Sequence, residues 1–435
     1  MKKFILPILA CAFVGITSCE SMLDIPQKGV VSYDDYYASD ADAKSALVNM
    51  YKQYINNVAA TEGIDVPEQV LLNYSADDIL AAGADFSDHI DFRVFDEFRY
   101  DNANKVLKQA YNRYMYSIYH ANLVISNFTN ENRNGTAPKW ESEYTKQCVA
   151  EARVMRAYLH LMTALSWNTP PILDRVYDPD EAIVSAESQS KVLEFVISEC
   201  EKAISSGYLP KRNGTTDKDA TARMSVGFAQ FIAGKAAVFN NDMATARKYL
   251  GDLINSKDYA LVPSQDFWTN FHISGDGNSE TLFEPNLIDD PAFTSGWGAQ
   301  MIGRWMVANV FNWRTDALAS EPTVSVGNPG WNGGAIQQDF AKKFLEHDGD
   351  SPRRLACFLT AEEWLYEMEW ASDIDPATGQ NINMSLEDKK KDPKRGISSA
   401  NGVYSHGPYF EWKHMVYINP PKLLTGGKEY PADNV

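Results

Sequence analysis

Apolar residues recur at three- and four-residue spacing over most of the first two-thirds of the chain, the signature of amphipathic helices. From Asp42 the series Ala43, Ala46, Leu47, Met50 and Tyr54 marks a first helix. Residues 61–103 interrupt this rhythm and read as an irregular insertion rich in Asp and Phe. Helical spacing returns from Asn104 to about Phe128, with Val106, Ala110, Tyr114, Ile118 and Ala121 on one face, and Asn130 to Pro138 forms a loop. A longer helix runs from Tyr144 to about Trp167, with Ala150, Val154, Ala157, Leu161 and Leu165 inward, and Pro170-Pro171 closes it. Another spans Glu187 to Ser205 with Val192, Phe195, Val196 and Ile204 inward.

The next two segments form a pair. Ala222, Val226, Ala229, Ala233 and Ala236 line one helix face with small residues, which lets a neighbour approach closely. A turn at Asn240-Asn241-Asp242 leads into a second helix with Met243, Ala246, Leu250 and Leu253 inward. Such a hairpin resembles a tetratricopeptide-type unit. Beyond residue 270 the periodicity shrinks to short pieces, Gln337 to Glu346 and Ala361 to Trp370, and the lysine-rich run Glu387 to Arg395 reads as a solvated loop. Sixteen of the 26 glycines lie there, and eight of the ten tryptophans lie from Trp268 onward. The expected fold is mainly α: a tetratricopeptide-like helical-hairpin scaffold over 41–260, packed against a loop-rich, aromatic-rich part over 261–435.

Composition narrows the function classes. The 435 residues carry a formal charge of −18, which disfavours nucleic acid and anionic lipid as partners. With 44% hydrophobic and 12% aromatic residues the chain has ample material for a packed core. Lys2 and Lys3 followed by an apolar stretch from Phe4 to Ile16 form a secretory leader too short to span a bilayer. It ends in Ile16-Thr17-Ser18-Cys19, which resembles a bacterial lipobox. On this reading residues 1–18 are a lipoprotein signal, Cys19 carries the lipid, and 19–40 form a tether. Several acyl chains on one cysteine would hold the protein stably on a membrane surface. Cys148, Cys200 and Cys357 then remain, an odd number without C-x-x-C spacing, and read as buried thiols acting as small hydrophobes.

The chain is similar to the SusD/RagB-type outer-membrane nutrient-binding lipoproteins. The strongest match is Ala150-Glu151-Ala152-Arg153-Val154-Met155-Arg156-Ala157-Tyr158, continuing to Leu165-Ser166-Trp167 and Pro170-Pro171, with Asn168 where the family usually has Gly. Leu23-Asp24-Ile25-Pro26 after the lipobox, Tyr111-x-x-Tyr114-x-x-x-Ile118-x-x-Ala121-Asn122, Asn278-Ser279-Glu280 and Asp348-Gly349-Asp350-Ser351-Pro352-Arg353-Arg354 also resemble family landmarks. The resemblance implies a cell-surface glycan-binding lipoprotein of the bacterial outer membrane that captures oligosaccharide and delivers it to a SusC-like TonB-dependent transporter. A peptide- or protein-binding helical-repeat surface lipoprotein is the alternative. Family members continue after a stretch like Tyr430-Pro431 into a further helical pair. The present sequence stops at Val435, so a scaffold lacking that pair is expected to expose an apolar helix face.

Signatures of enzymes are missing: there is no H-E-x-x-H, G-x-S-x-G, P-loop or G-x-G-x-x-G, and no cofactor is expected. Adjacent acids such as Asp77-Asp78 and Glu362-Glu363 do not by themselves indicate the ~5–10 Å carboxyl pair of a glycosidase. Asp276-Gly277-Asn278 resembles the start of a calcium loop but lacks the bidentate Glu at loop position 12, so it reads as a plain turn. Arg153 and Arg156 read as arginines that bridge their helix to neighbouring carboxylates and carbonyls. Sugar binding needs flat rings for the apolar C–H faces of a pyranose, plus amides, carboxylates or guanidiniums for its hydroxyls. The resemblance places such a site on the early insertion, at Asp85, Phe86, His89, Phe92 and Arg93, and on later loops, at Trp297, Trp305, Trp313, Trp331 and Asn332. Trp297 and Trp331 stand in Gly-rich loops and are expected to be exposed.

Overall fold

The computed structural model describes residues 36–57, 67–83, 87–131, 135–178, 180–181, 184–286, 310–311, 331, 333–360, 363, 409–413 and 423. The leader, Cys19 and most of the tether lie outside them, as do the lysine-rich run and nearly all of 361–370.

Six helices build the scaffold: α1 (Asp40–Asn57), α4 (Lys105–Phe128), α5 (Glu143–Trp167), α6 (Gln189–Ser205), α7 (Val226–Phe239) and α8 (Met243–Ser256). Their starts are chemically defined. Asn104, Ser142, Ser188, Ser225 and Asp242 each accept a hydrogen bond from a backbone N–H in the first turn, satisfying a donor the helix itself cannot. At Ser142 the arrangement is reciprocal, since the Thr145 hydroxyl accepts from the Ser142 N–H at 2.9 Å. The Ser142 hydroxyl also donates to Asp40 at 2.6 Å, tying the start of α5 to the start of α1.

Sequential helices pack in a row, α4 on α5, α5 on α6, α6 on α7 and α7 on α8, with α1 against α4 and α5. Helix α5 therefore has neighbours on several sides, and it is buried from Cys148 to Ala164 on nearly every face. The seam expected between α7 and α8 is real. Ala229, Ala233 and Ala236 are buried, and a Cβ on Gly234 would stand 2.5 Å from the Leu250 side chain. Met243, expected inward, is exposed instead: it is the first residue of α8, whose buried residues are Ala246 and Tyr249. Val238, Phe239, Ile254 and Leu261 are exposed as well. Among the described residues no helix is long and apolar enough to cross a membrane.

The family-like arginines act inside this scaffold. Arg153 and Arg156, one turn apart, converge on the fully buried Glu199 of α6. Arg153 also reaches Glu131 at 2.7 Å, while Arg156 donates to Asn122 Oδ1 at 2.9 Å and to the Asp174 carbonyl at 2.5 Å. The Asn122 amide in turn donates to the Leu173 and Arg175 carbonyls. One α5 motif thus fixes α4, α6 and the corner after α5 at once. Cys148 and Cys200 are buried free thiols raised by desolvation to about 12 in the first case, and Cys357 is half-buried.

The early insertion is more ordered than its sequence suggests. It contains α2 (Pro67–Asn73), strand β1 (Ile79–Ala81) and α3 (Ile90–Asp96). Strand β1 pairs antiparallel with β2 (Gly334–Ile336), placing Ile79 opposite Ile336 and Ala81 opposite Gly334. Helices α9 (Gln338–Asp348) and α10 (Pro352–Cys357) follow β2, and β3 (Phe358–Thr360) pairs with β4 (Tyr409–Glu411). The short strands lack the alternating pattern that would identify them in isolation.

Candidate functional site

A second, smaller core joins the insertion to the late segment. Val70, Tyr74, Ala81, Phe92, Phe95 and Val106 pack there with Val310 and Phe311, and Trp331 lies half-buried against them. Two glycines permit the close fit. A Cβ on Gly333 would come within 2.8 Å of a Val310 methyl, and one on Gly334 within 2.6 Å of the Phe311 ring. The Tyr74 hydroxyl donates to the Gly333 carbonyl at 2.6 Å, and the Gly333 N–H donates to Val310. On the other side the Ala81 N–H donates to the Asp96 carboxylate at 3.2 Å, fastening β1 to α3. Burial raises the pKa of both Tyr74 and Asp96.

Helix α3 presents the outer surface of this unit. It begins after His89, whose backbone is left-handed (φ 48°) and whose ring stacks on Phe92 at 4.7 Å and 15°. It ends where Arg99 N–H donates back to the Val94 carbonyl, with Phe98 left-handed at φ 51°. Glycine is the usual residue at such a helix end. A phenylalanine there costs on the order of 1 kcal/mol in backbone strain, and the residue is 63% exposed, so it gains little from packing. Tyr100 lies parallel on Phe95 at 4.5 Å and 17°, with 42% of its surface open. Ile90 is 50% exposed, and Glu97 and Arg99, which flank Phe98 in sequence, form an exposed ion pair. The result is an exposed Phe98 and, two residues on, a Tyr100 ring stacked on Phe95, with the charged Glu97 and Arg99 next to them in sequence.

The expected site residues fall into three groups. His89 and Trp331, distant in sequence, border the same small core, and the imidazole side chain of His89 is 17% exposed. Phe92 and Arg93 are buried and form part of the interior, which corrects the expectation that they face a ligand: their positions in α3 point at the core. Asp85, Phe86, Trp297, Trp305, Trp313 and Asn332 lie outside the described residues, as does Cys19. Phe98, Tyr100 and Ile90 were not anticipated. The available signal was the alternation Glu97-Phe98-Arg99-Tyr100 directly after a short helix, where aromatic residues have no helical face to fill.

Among the described residues no group of three or more His, Cys, Asp or Glu could hold a metal ion. The turn at Asp276 is organised by a guanidinium instead. Arg212, buried, donates to the carbonyls of Gly214, Thr215, Gly277, Asn278 and Thr281. A separate apolar cavity of about 510 Å³ lies between α4 and the corner after α5, lined by Tyr111, Met115, Trp167 and Pro170-Pro171 among others. No expected site residue lines it.

No family model and no curated protein matches the sequence. Solved structures do. Surface glycan-binding protein A from Bacteroides thetaiotaomicron, in complex with laminarihexaose, matches over 86% of this chain and 70% of its own, with TM-score 0.63 and 16% identity. A laminarin binding SusD-like protein matches over 92% and 76%, with TM-score 0.63 and 20% identity. A SusD superfamily protein from Bacteroides vulgatus matches over 87% and 68%, with TM-score 0.59 and 16% identity. The chain has the mainly helical, tetratricopeptide-like fold of the SusD-like proteins.

Proposed function

We propose that this chain is a surface glycan-binding lipoprotein that captures oligosaccharide and passes it to a SusC-like TonB-dependent transporter. The observation that carries the reading is the exposed Phe98, held in a left-handed backbone two residues before the exposed Tyr100. Left-handed aromatic residues without packing are unfavourable for stability alone, so a ligand that covers them supplies the missing contact. The apolar C–H face of a pyranose fits flat exposed rings, and the exposed Glu97 and Arg99 that flank Phe98 in sequence carry groups of the kind that bond hydroxyls. The fold shared with proteins named for glycan and laminarin binding supports the same ligand class.

The reading requires no turnover and no cofactor. Binding raises the local concentration of oligosaccharide at a membrane surface, and tethering through Cys19 makes hand-over to a transporter an effectively intramolecular event. The anchor matches the leader and lipobox at residues 1–19, and the net charge of −18 suits a neutral glycan better than an anionic partner.

The test is electrophoresis of the chain lacking residues 1–19 through native gels cast with a panel of neutral polysaccharides. Retardation by at least one glycan, reduced tenfold or more in apparent affinity by Phe98→Ala, is the expected result. Equal retardation of Phe98→Ala and the parent would remove this surface from the account. Absence of retardation by every glycan, with the chain folded by circular dichroism, would remove the glycan reading and favour peptide capture.

A further inference from the structure

The scaffold carries a second aromatic surface that the site above does not use. Tyr116 and Tyr119 stand one turn apart on the outward face of α4, 49% and 41% exposed, their rings 6.4 Å apart and within 23° of parallel. Both rings are supported by His120, whose imidazole meets them edge-on at 4.7 and 5.3 Å. His120 is itself buried and tied to α1 by a relay: the Gln53 amide donates to Asn49 Oδ1 at 3.2 Å, and the Asn49 amide lies 3.1 Å from His120 Nδ1. Because Asn49 presents its NH2 group, Nδ1 accepts and the imidazole proton resides on Nε2. Burial lowers the His120 pKa, so the neutral ring with this tautomer persists at pH 7. Nε2 is buried with no hydrogen-bond partner among the described residues.

These features differ from a chance pair of surface tyrosines. Two near-parallel rings rest edge-on against one buried histidine, which an α1 amide holds in turn. Flat apolar faces combined with fixed amide and hydroxyl groups match a neutral sugar ring, which stacks its C–H face and bonds at its edge. Pre-fixed rings also lose little conformational freedom on binding. An anionic ligand is disfavoured by the charge of the chain.

We propose that Tyr116 and Tyr119, with Asn49 and His120, form a second pyranose-binding platform on the α1–α4 face of the scaffold. The inference rests on the reading of the chain as a glycan binder and adds a separate site to it. Two contacts on one glycan chain would raise apparent affinity for long chains above that for short ones.

Isothermal titration of the full chain with laminarihexaose, cellohexaose and maltohexaose provides the test, using the parent, Phe98→Ala, Tyr116→Ala/Tyr119→Ala and the triple variant. Substitution of exposed rings leaves the helical far-ultraviolet spectrum unchanged if folding is intact, and this is checked for each. For a sugar that binds, the expected result is a class of binding that persists in Phe98→Ala, weakens at least tenfold in the double variant, and disappears in the triple. Binding by the double variant indistinguishable from the parent overturns the platform and leaves the proposed function standing. Absence of heat with all three sugars in the parent overturns the platform for glucans, while the function itself stands or falls on the polysaccharide panel.

Discussion

Glu199 shows how a single residue can hold several elements. Burial alone would raise its pKa, but the guanidiniums of Arg156 and Arg153 beside it bring the carboxyl down to about 2. Because the folded value lies below the ordinary carboxylate value, its stabilising contribution is complete above pH ~4.5 and is lost as pH falls towards and through about 2. Glu199→Gln removes the charge and leaves two buried guanidiniums without it. The expected cost at pH 7 is about 3–5 kcal/mol in urea unfolding, with a shallower fall of stability between pH 4.5 and 2. An unchanged unfolding midpoint would show that the arginines are held by their carbonyl and Asn122 partners alone. This part of the molecule was legible in the sequence, because i,i+3 arginines on an otherwise apolar helix demand buried acceptors. The acceptor itself was not, since Glu199 lies 43 residues from Arg156 and only packing brings it there. Asn168 was legible in a different way: it replaces a family Gly, and its φ of 61° is the physical reason a glycine suits that corner.

At the scale of elements, the long helices were predictable because cap residue and apolar period agree in each. Ser142, Ser188, Ser225 and Asp242 stand directly before the helices they start. The insertion was not. Strands β1 and β2 are three residues each, their partner lies more than 250 positions away, and α2 and α3 have seven residues each, too few to show a period. The same reason misassigned Phe92 and Arg93, which differ from exposed positions only by the rotation of a two-turn helix. The Gly-rich sequence around Trp331 predicts an open loop, whereas Gly333 and Gly334 serve close packing. Gly333→Ala is therefore expected to separate the two parts of the small core. Hydrogen exchange should rise in β1 and α3 while the α5–α6 pair stays protected, and glycan binding at Phe98 should weaken with it. Unaltered exchange in β1 would mean that the Val310 contact yields without loss.

For the whole molecule, a row of capped helices supplies a stiff frame, and the insertion and late segment close a smaller core beside it. This division explains why function is poorly written in the helical periodicity. The frame is determined by repeated apolar spacing, while the exposed rings depend on where two distant segments meet. Ligand contact is expected to concentrate beside the small core, with the helical row contributing at the α1–α4 face.

The most direct test of the central claim is a structure of the chain bound to the oligosaccharide that retards it most strongly. The account predicts sugar rings stacked on Phe98 and Tyr100, with hydroxyls bonded near Glu97 and Arg99. A glycan seated elsewhere, with Phe98 and Tyr100 left open to solvent, would contradict it.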